Sequence, residues 1–374
     1  MEELMCKNYK CLCIFSFVFL FFCGASEASD YRVSIYQKEK VFNGTTFLAD
    51  ASNRDQQRIV EVDFNGNILW QYKLPKSMQG QNSVLLEATP LPNKNILFTV
   101  KRHGIFEINR KGKIIWKHLD RDASHDADRL ANGNTLYNHG FVKKGAAQVV
   151  EITPQGKTVW SWDGIKEFGS GFYADFFNDG WMHVNAVTRL ENGNTLISIR
   201  NFNKIVEVNP SGKVVWEITF RGKIDVGRNM KPTDGPIKGI TNHEPEITPS
   251  GTLLLALRKP WRFVEIDRQT KTIVWQWAHP EGRKAMDVNR DANRLPNGNT
   301  LVTTADRIIE VSADGEIVWQ LHAPESGSGK TAGKGRGRAG SNKRAGKGKH
   351  VQQQTEKKFH KVIRLSPDGK IFGG

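Results

Sequence analysis

Six stretches of the chain share one pattern, and their repetition decides the fold: IVEVDFNGNILW at 59–70, IFEINRKGKIIW at 105–116, VVEITPQGKTVW at 149–160, IVEVNPSGKVVW at 205–216, FVEIDRQTKTIVW at 263–275 and IIEVSADGEIVW at 308–319. Trp70, Trp116, Trp160, Trp216, Trp275 and Trp319 count them off at a period of roughly 45 to 60 residues. A unit of that length, built from short alternating runs and tight turns, can bury its sheet faces only against neighbouring units. Six such units predict an all-β protein, a six-bladed β-propeller with four antiparallel strands per blade around a central channel.

Each copy is preceded by a second hairpin. It reads RLANGNTLY at 129–137, RLENGNTLIS at 189–198, TPSGTLLLAL at 248–257, RLPNGNTLV at 294–302 and, less regularly, PLPNKNILF at 90–98. Asn-Gly between alternating strands is a strong hairpin signal, on the expectation that both central residues take positive φ. The four strands of a blade are called A to D. The first repeat lacks strand A, and HKVIRLSPDGK at 360–370 matches HDADRLANGN at 125–134. The C-terminal strand is therefore expected to complete the blade begun by TTFLAD at 45–50, closing the ring with no open sheet edge.

Outside the repeats, residues 1–28 carry Lys7 and Lys10, an apolar run from Cys11 to Cys23, and a small-x-small site at Ser26-Glu27-Ala28. That is the pattern of a cleaved secretory signal, too short to span a bilayer as a helix. All four cysteines, Cys6, Cys11, Cys13 and Cys23, lie within it, so the mature chain would have neither disulfides nor thiolate metal sites. Export to the periplasm or beyond is expected; a lipid anchor on Cys23 has Leu20 in its favour and bulky Phe22 against it. The organisation is then signal 1–28, propeller 31–322, basic insertion 323–358 and closing strand 359–374.

The net charge of +15 suggests nucleic acid until it is located. Residues 325–358 hold ten Lys or Arg against two Glu, which accounts for +8 of it. A Gly, Ser and Lys mixture of this kind cannot bury a core and reads as a disordered linker, or as a contact for polyanions such as polysaccharide or lipid headgroups. No nucleic-acid partner is expected.

Topology then gathers residues. In a four-stranded meander the start of A, the end of B and the end of D share one face of the disc. At the strand A starts stand His125, His183, His243, Arg290 and His360; at the strand B ends stand Lys101, Arg200 and Arg258. The long connection from Trp160 to His183 brings Phe168, Phe172, Tyr173, Phe176, Phe177 and Trp181 to the same face, and the one from Trp216 to His243 is longer and polar. Long loops over a rigid scaffold usually carry function. A mouth of imidazole and guanidinium roofed by aromatics predicts a small aromatic anion as ligand, with Arg258, Lys101, Tyr173 and Trp181 as binding residues. The six repeat glutamates, Glu61, Glu107, Glu151, Glu207, Glu265 and Glu310, occupy one strand position in every blade and read as structural. Each mouth histidine taken singly also has a structural reading, bonding a neighbouring blade. No His-x-x-x-His spacing signals a metal, and no cofactor is expected.

The segment Trp181-Met182-His183-Val184-Asn185, followed by Ile197-Ser198-Ile199-Arg200, resembles the blade of bacterial arylsulfate sulfotransferases that carries Trp-x-His-x-Asn and then Ser-x-Arg. His125 in SHDADRLANGN is similar to that family's histidine-aspartate blade opening, and His243 in ITNHEP falls in the blade where the family keeps its nucleophilic histidine. The resemblance spans the propeller and the closing strand. It implies transfer of a sulfuryl group from a phenolic sulfate ester to an acceptor phenol, through a sulfohistidine and without a nucleotide donor. His243 would be the nucleophile, Arg200 and His183 would hold the sulfuryl oxygens, and His125 would assist there or protonate the leaving phenolate. The extra N-terminal β-domain of the best-known members is missing from the pattern here, and the basic insertion is foreign to it.

Other classes stay open on the sequence alone. A non-catalytic propeller holding a sulfated ligand or a partner protein would use the same cationic mouth. A hydrolase would pass the group to water. A quinoprotein dehydrogenase shares the Gly-x-x-x-Trp ending, but usually needs eight blades and an adjacent-cysteine feature that the mature chain lacks.

Overall fold

The structure, a computed structural model, describes residues 31–80, 82–220, 241–286, 288–324 and 359–373. The N-terminal segment read as a secretory signal, the polar connection at 221–240 and the basic insertion at 325–358 lie outside the described residues. The first strand, β1 (Arg32–Tyr36), precedes the blades. Blade 1 opens with β2 (Thr45–Asp50), β3 (Arg58–Val62) and β4 (Ile68–Lys73). Blade 2 is β5 (Leu85–Pro90), β6 (Ile96–Val100), β7 (Gly104–Ile108) and β8 (Ile114–His118). Blade 3 is β9 (Ala127–Arg129), β10 (Thr135–Asn138), β11 (Val149–Ile152) and β12 (Thr158–Trp162). Blade 4 is β13 (Val184–Arg189), β14 (Thr195–Ile199), β15 (Lys204–Val208) and β16 (Val214–Thr219). Blade 5 is β17 (Asn242–Ile247), β18 (Leu253–Leu257), β19 (Arg262–Ile266) and β20 (Ile273–Trp277). Blade 6 is β21 (Ala292–Arg294), β22 (Thr300–Thr303), β23 (Arg307–Val311) and β24 (Ile317–His322), and the chain ends with β25 (Phe359–Leu365) and β26 (Ile371–Phe372). The protein is a six-bladed β-propeller.

The seam closes at β25, which pairs antiparallel with β2 from Thr45 opposite Leu365 to Asp50 opposite Phe359. Two strands were not foreseen. β26 adds to the inner side of β25, and β1 lies along the outer side of β24, with Arg32 opposite His322 and Tyr36 opposite Trp319. The expectation of no open edge is corrected: ring closure removes the seam, but β4, β8, β12, β16 and β20 remain terminal strands of their sheets. The residue before each repeat tryptophan records the difference. Leu69 and Val215 are 55% and 50% exposed, whereas Val318, under β1, is fully buried.

The hairpin chemistry also differs from expectation. At the A–B turns only the glycine of Asn-Gly takes positive φ, as at Gly133 (85°), Gly193 (82°) and Gly298 (88°). Gly133 N donates to Leu130 O at 2.9 Å, and the Asn132 side chain accepts from Asn134 N at 2.9 Å. The asparagine thus folds over its own backbone in a type I turn, and the glycine supplies the left-handed residue that follows.

The repeat glutamates hold neighbouring blades together. Each forms an ion pair with an arginine from the next blade: Glu61 with Arg110, Glu107 with Arg129, Glu151 with Arg189, Glu207 with Arg268, Glu265 with Arg294 and Glu310 with Arg364. The same guanidinium lies over the repeat tryptophan, between 4.4 Å for Arg129 on Trp116 and 5.2 Å for Arg189 on Trp160 and Arg364 on Trp319. In four blades the arginine comes from strand A or the adjoining turn; where that position is Pro90 or Ile247, the C–D turn supplies Arg110 or Arg268 instead. A fixed Glu and Trp in every repeat are therefore two sides of one inter-blade clasp.

Strand A of each blade lines the axis, where carboxylates accept from the backbone of the next blade: Glu87 from Ala127 N at 2.8 Å, Asp126 from Val187 N at 2.7 Å and Asp291 from Val362 N at 2.9 Å. Lys361 stands among them, 2.7 Å from Glu87 and 3.0 Å from Asp126. The oxygens of Glu87, Asp126 and Asp128 lie within 4.8 Å of one another. At the A–B turn end of the axis a cavity of about 690 Å³ opens between Glu244, Glu246, Asp291, Arg294, Lys361 and Phe372.

Candidate active site

At the other end of the axis the strand A starts converge. His125, His183, His243, Arg290 and His360 are all buried, each less than a tenth exposed. The imidazoles of His125 and His183 are 5.0 Å apart, centre to centre, and Phe141 lies 5.2 Å and 5.0 Å from them. Lys101 sits 3.6 Å over the Phe141 ring. Burial pulls the Lys101 ammonium below its usual range, against the opposing charge of Asp179.

The loop before β13 is held in an unusual shape. His183 has φ of 50°, a left-handed conformation that non-glycine residues adopt only under constraint. Asn201 supplies the constraint: its side-chain amide reaches Asn178 O at 3.0 Å, Gly180 O at 3.0 Å and Trp181 O at 3.1 Å. His183 Nδ1 lies 2.8 Å from Asp179 O. A carbonyl only accepts, so Nδ1 carries the hydrogen and Nε2 of the neutral ring presents a lone pair. The Arg200 guanidinium packs against the ring, Nη1 2.9 Å from Nε2. Burial, then the charge of Arg258, lowers Arg200 to about 10, still fully charged near neutrality.

His125 is oriented from the other side. Its Nδ1 is 3.3 Å from Ser124 Oγ, and that hydroxyl also accepts from Gly140 N at 2.7 Å and donates to Asn138 Oδ1. With the hydroxyl proton on Asn138, Nδ1 of His125 is the donor, and Nε2 is the nitrogen that can take up and release a second proton. Gly140 must be glycine here, because a Cβ would lie 2.7 Å from Ser124 Oγ and 2.9 Å from His125 Nδ1.

Asn185 and Ser198 of the motif read in the sequence both act on Asn242, the residue before His243. Asn185 donates to Asn242 O at 2.9 Å, and the Asn242 side chain donates to Ser198 Oγ at 2.7 Å and Lys204 O at 3.1 Å. Blade 4 thus grips the residue before His243. The next blade repeats part of the device: Asn289, before Arg290, donates to Leu257 O at 3.0 Å and Arg262 O at 3.4 Å. Comparing Asn242-His243 with Asn289-Arg290 would have exposed this in the sequence; nothing there pointed to Phe141 or to the Asp179 carbonyl.

His243 is the most buried of the three histidines named for catalysis, and its Nε2 has no hydrogen-bond partner among the described residues. Burial first, then the charges of Arg290, Arg258, Arg200 and His125, holds it well below the usual imidazole value. The ring is neutral at any ordinary pH. Three cations from three blades and His125 thus surround one uncharged imidazole.

The aromatic roof divides. Trp181 is 1% exposed, donates through its indole nitrogen to Tyr173 O at 2.8 Å and packs on Phe202, as Tyr173 does at 4.3 Å between ring centres. Both side chains pack the loop down. Phe172 and Phe177 stay open, at 61% and 71% exposure.

Solved structures of similar shape share the fold. A protein of unknown function from Bacteroides caccae is 15% identical, covers 75% of this chain and 94% of its own, and gives a TM-score of 0.53. A streptogramin B lyase structure is 12% identical, with 92% and 94% covered and a TM-score of 0.50. At these identities the likeness shows the fold alone. No curated protein sequence matches the chain. The family profile Arylsulfotransferase (ASST) matches residues 32–224, which contain His125, His183 and Arg200 and stop short of His243. That match covers just over half of the 374 residues, and the chain belongs to the arylsulfotransferase family.

Proposed function

We propose that the protein moves a sulfuryl group from a phenolic sulfate ester to a phenolic acceptor through a sulfohistidine on His243. The observation that carries this reading is the state of His243: a buried, neutral imidazole whose Nε2 has no hydrogen-bond partner among the described residues, within the field of Arg200, Arg258 and Arg290. A protonated ring could not attack, and a hydrogen-bonded lone pair would be a weaker nucleophile. In the first half-reaction Nε2 of His243 bonds to sulfur, the sulfur–oxygen bond to the aryl group breaks, and the phenolate leaves with the Nε2 proton of a His125 that enters the cycle as imidazolium. Arg200 meets the charge on the sulfuryl oxygens. In the second half, the acceptor oxygen bonds to sulfur, the nitrogen–sulfur bond breaks, and the acceptor's proton returns to Nε2 of His125. No net proton is consumed. We further propose export by the N-terminal segment and contact of the basic insertion with polyanions.

The test is brief exposure of the purified protein to an aryl sulfate without acceptor. The expected result is one acid-labile sulfuryl group on the peptide containing His243, absent in His243→Ala. An adduct on His125 or His183 would reassign the nucleophile. Turnover that rises with added phenol favours transfer over hydrolysis, and no turnover with any aryl sulfate would turn the reading toward a binding propeller.

A further inference from the structure

Arg290 is a buried cation without an answering charge at contact distance among the described residues. It is 2% exposed, and its Nε and Nη2 have no hydrogen-bond partner among the described residues. Nη1 meets His360 Nδ1 at 3.4 Å, itself a nitrogen. No carboxylate among the described residues forms an ion pair with it; Glu244 acts on it by charge, and Arg258, Arg200 and Arg54 oppose that. Elsewhere in the ring, buried arginines are paired, as Arg364 is with Glu310 at 2.9 Å. A guanidinium withdrawn from water is retained in this way where a ligand completes it.

Its place is fixed as firmly as the nucleophile's. Asn289 ties the start of Arg290's strand to blade 5 as Asn242 ties the start of His243's strand to blade 4. Charge counting then decides what the place is for. An aryl sulfate monoester carries one negative charge, which Arg200 meets, yet the charge of Arg290 also bears on the same imidazole. We propose that Arg290, with His360 beside it, is a second anion subsite next to His243, and that the donor is an aryl sulfate bearing a further anionic oxyacid group, a carboxylate or a second sulfate. The planar fork of a guanidinium matches two oxygens of either group. This specificity rests on the transfer reading above, but the subsite itself is read by binding alone.

The probes are benzenesulfonate and 4-sulfobenzoate, whose carbon–sulfur bond cannot be transferred. Calorimetric titration of the full-length protein should show 4-sulfobenzoate binding at least about 10-fold tighter, the order expected for one charge-assisted bidentate contact. Arg290→Gln should bring that ratio to near 1, and Arg290→Lys should keep part of it. Equal binding of the two probes by the parent protein, a ratio that survives Arg290→Gln, or a loss of the same factor for both probes would each overturn the subsite. Should Arg290→Gln fail to fold, the parent ratio and Arg290→Lys decide. An intact ratio in a protein that forms no sulfohistidine would remove the transfer reading and leave the subsite standing.

Discussion

Arg200 lies against His183 with Nη1 2.9 Å from Nε2 and 3.0 Å from Nδ1 of the imidazole. Near-equal approach to both nitrogens places the guanidinium over the ring rather than along either lone pair. The neutral ring is therefore a platform for the cation, and protonating it would set two positive charges in contact. The platform stands on Asp179 O, which fixes its hydrogen on Nδ1.

Replacing the guanidinium by an ammonium separates charge from shape. Arg200→Lys keeps the charge but loses the flat surface that rests on His183 and the fork that, in the proposed transfer, meets two sulfuryl oxygens. The expected outcome is a drop in kcat of about 10²-fold or more, the size seen when one preorganised oxyanion donor is lost. Steady-state rates against an aryl sulfate check it. A change confined to KM would mean that Arg200 only draws the anion in.

Much of this was legible in the sequence, because the propeller repeats one physical solution six times. Trp70 through Trp319 fixed the blade count, and the strand A and B ends placed His125, His183, His243, Arg200 and Arg258 around one mouth without reference to any side-chain contact. What stayed hidden depends on single contacts between blades. The clasp of Glu61 with Arg110 joins residues 49 positions apart in sequence, and no local pattern marks it. β1 reads as an ordinary short run until blade 6 offers it an edge. Trp181 and Tyr173 look like a ligand cage by composition, but Phe202, two residues past Arg200, draws them into packing. Asn185 and Ser198 were visible as parts of a motif; that both act on Asn242 is a fact of blade neighbourhood.

The state of His243 gives a dependence on pH. Its pKa in the folded protein lies well below the usual imidazole value of about 6.5, because burial and then Arg290, Arg258 and Arg200 disfavour the charged ring. A depressed histidine binds fewer protons folded than unfolded, so its contribution to stability is present above about pH 6.5 and falls as the pH drops below that value. The chemistry follows the same sign. In the first half-reaction, kcat/KM for the donor should stay free of a His243 limb down to about pH 6, where an ordinary histidine would already be largely protonated. Single-turnover labelling against pH checks it. A limb near pH 6.5 that vanished in His125→Ala would belong to His125, and one that persisted there would mean that His243 is not held neutral.

The closing strand carries the strongest test of the architecture. Arg364 of β25 and Glu310 of β23 are both fully buried, 2.9 Å apart, and the guanidinium covers Phe64 and Trp319 at 4.7 Å and 5.2 Å. Burial lowers Arg364 to about 10 and the charge of Glu310 opposes the shift, so the guanidinium remains charged at neutral pH. Arg364→Met should leave Glu310 as a buried charge supported only by neutral donors such as Asn299, at a cost of about 3–5 kcal/mol. The equivalent clasp of Arg110 with Glu61 is partly open, with 35% and 15% of the side chains exposed. Water screens that pair, and Arg110→Met should cost no more than about 1 kcal/mol. Urea unfolding of the two variants measures the difference, and Glu310→Gln added to Arg364→Met should restore most of the loss. Equal midpoints for Arg364→Met and Arg110→Met would mean that β25 does not seal the ring through Glu310.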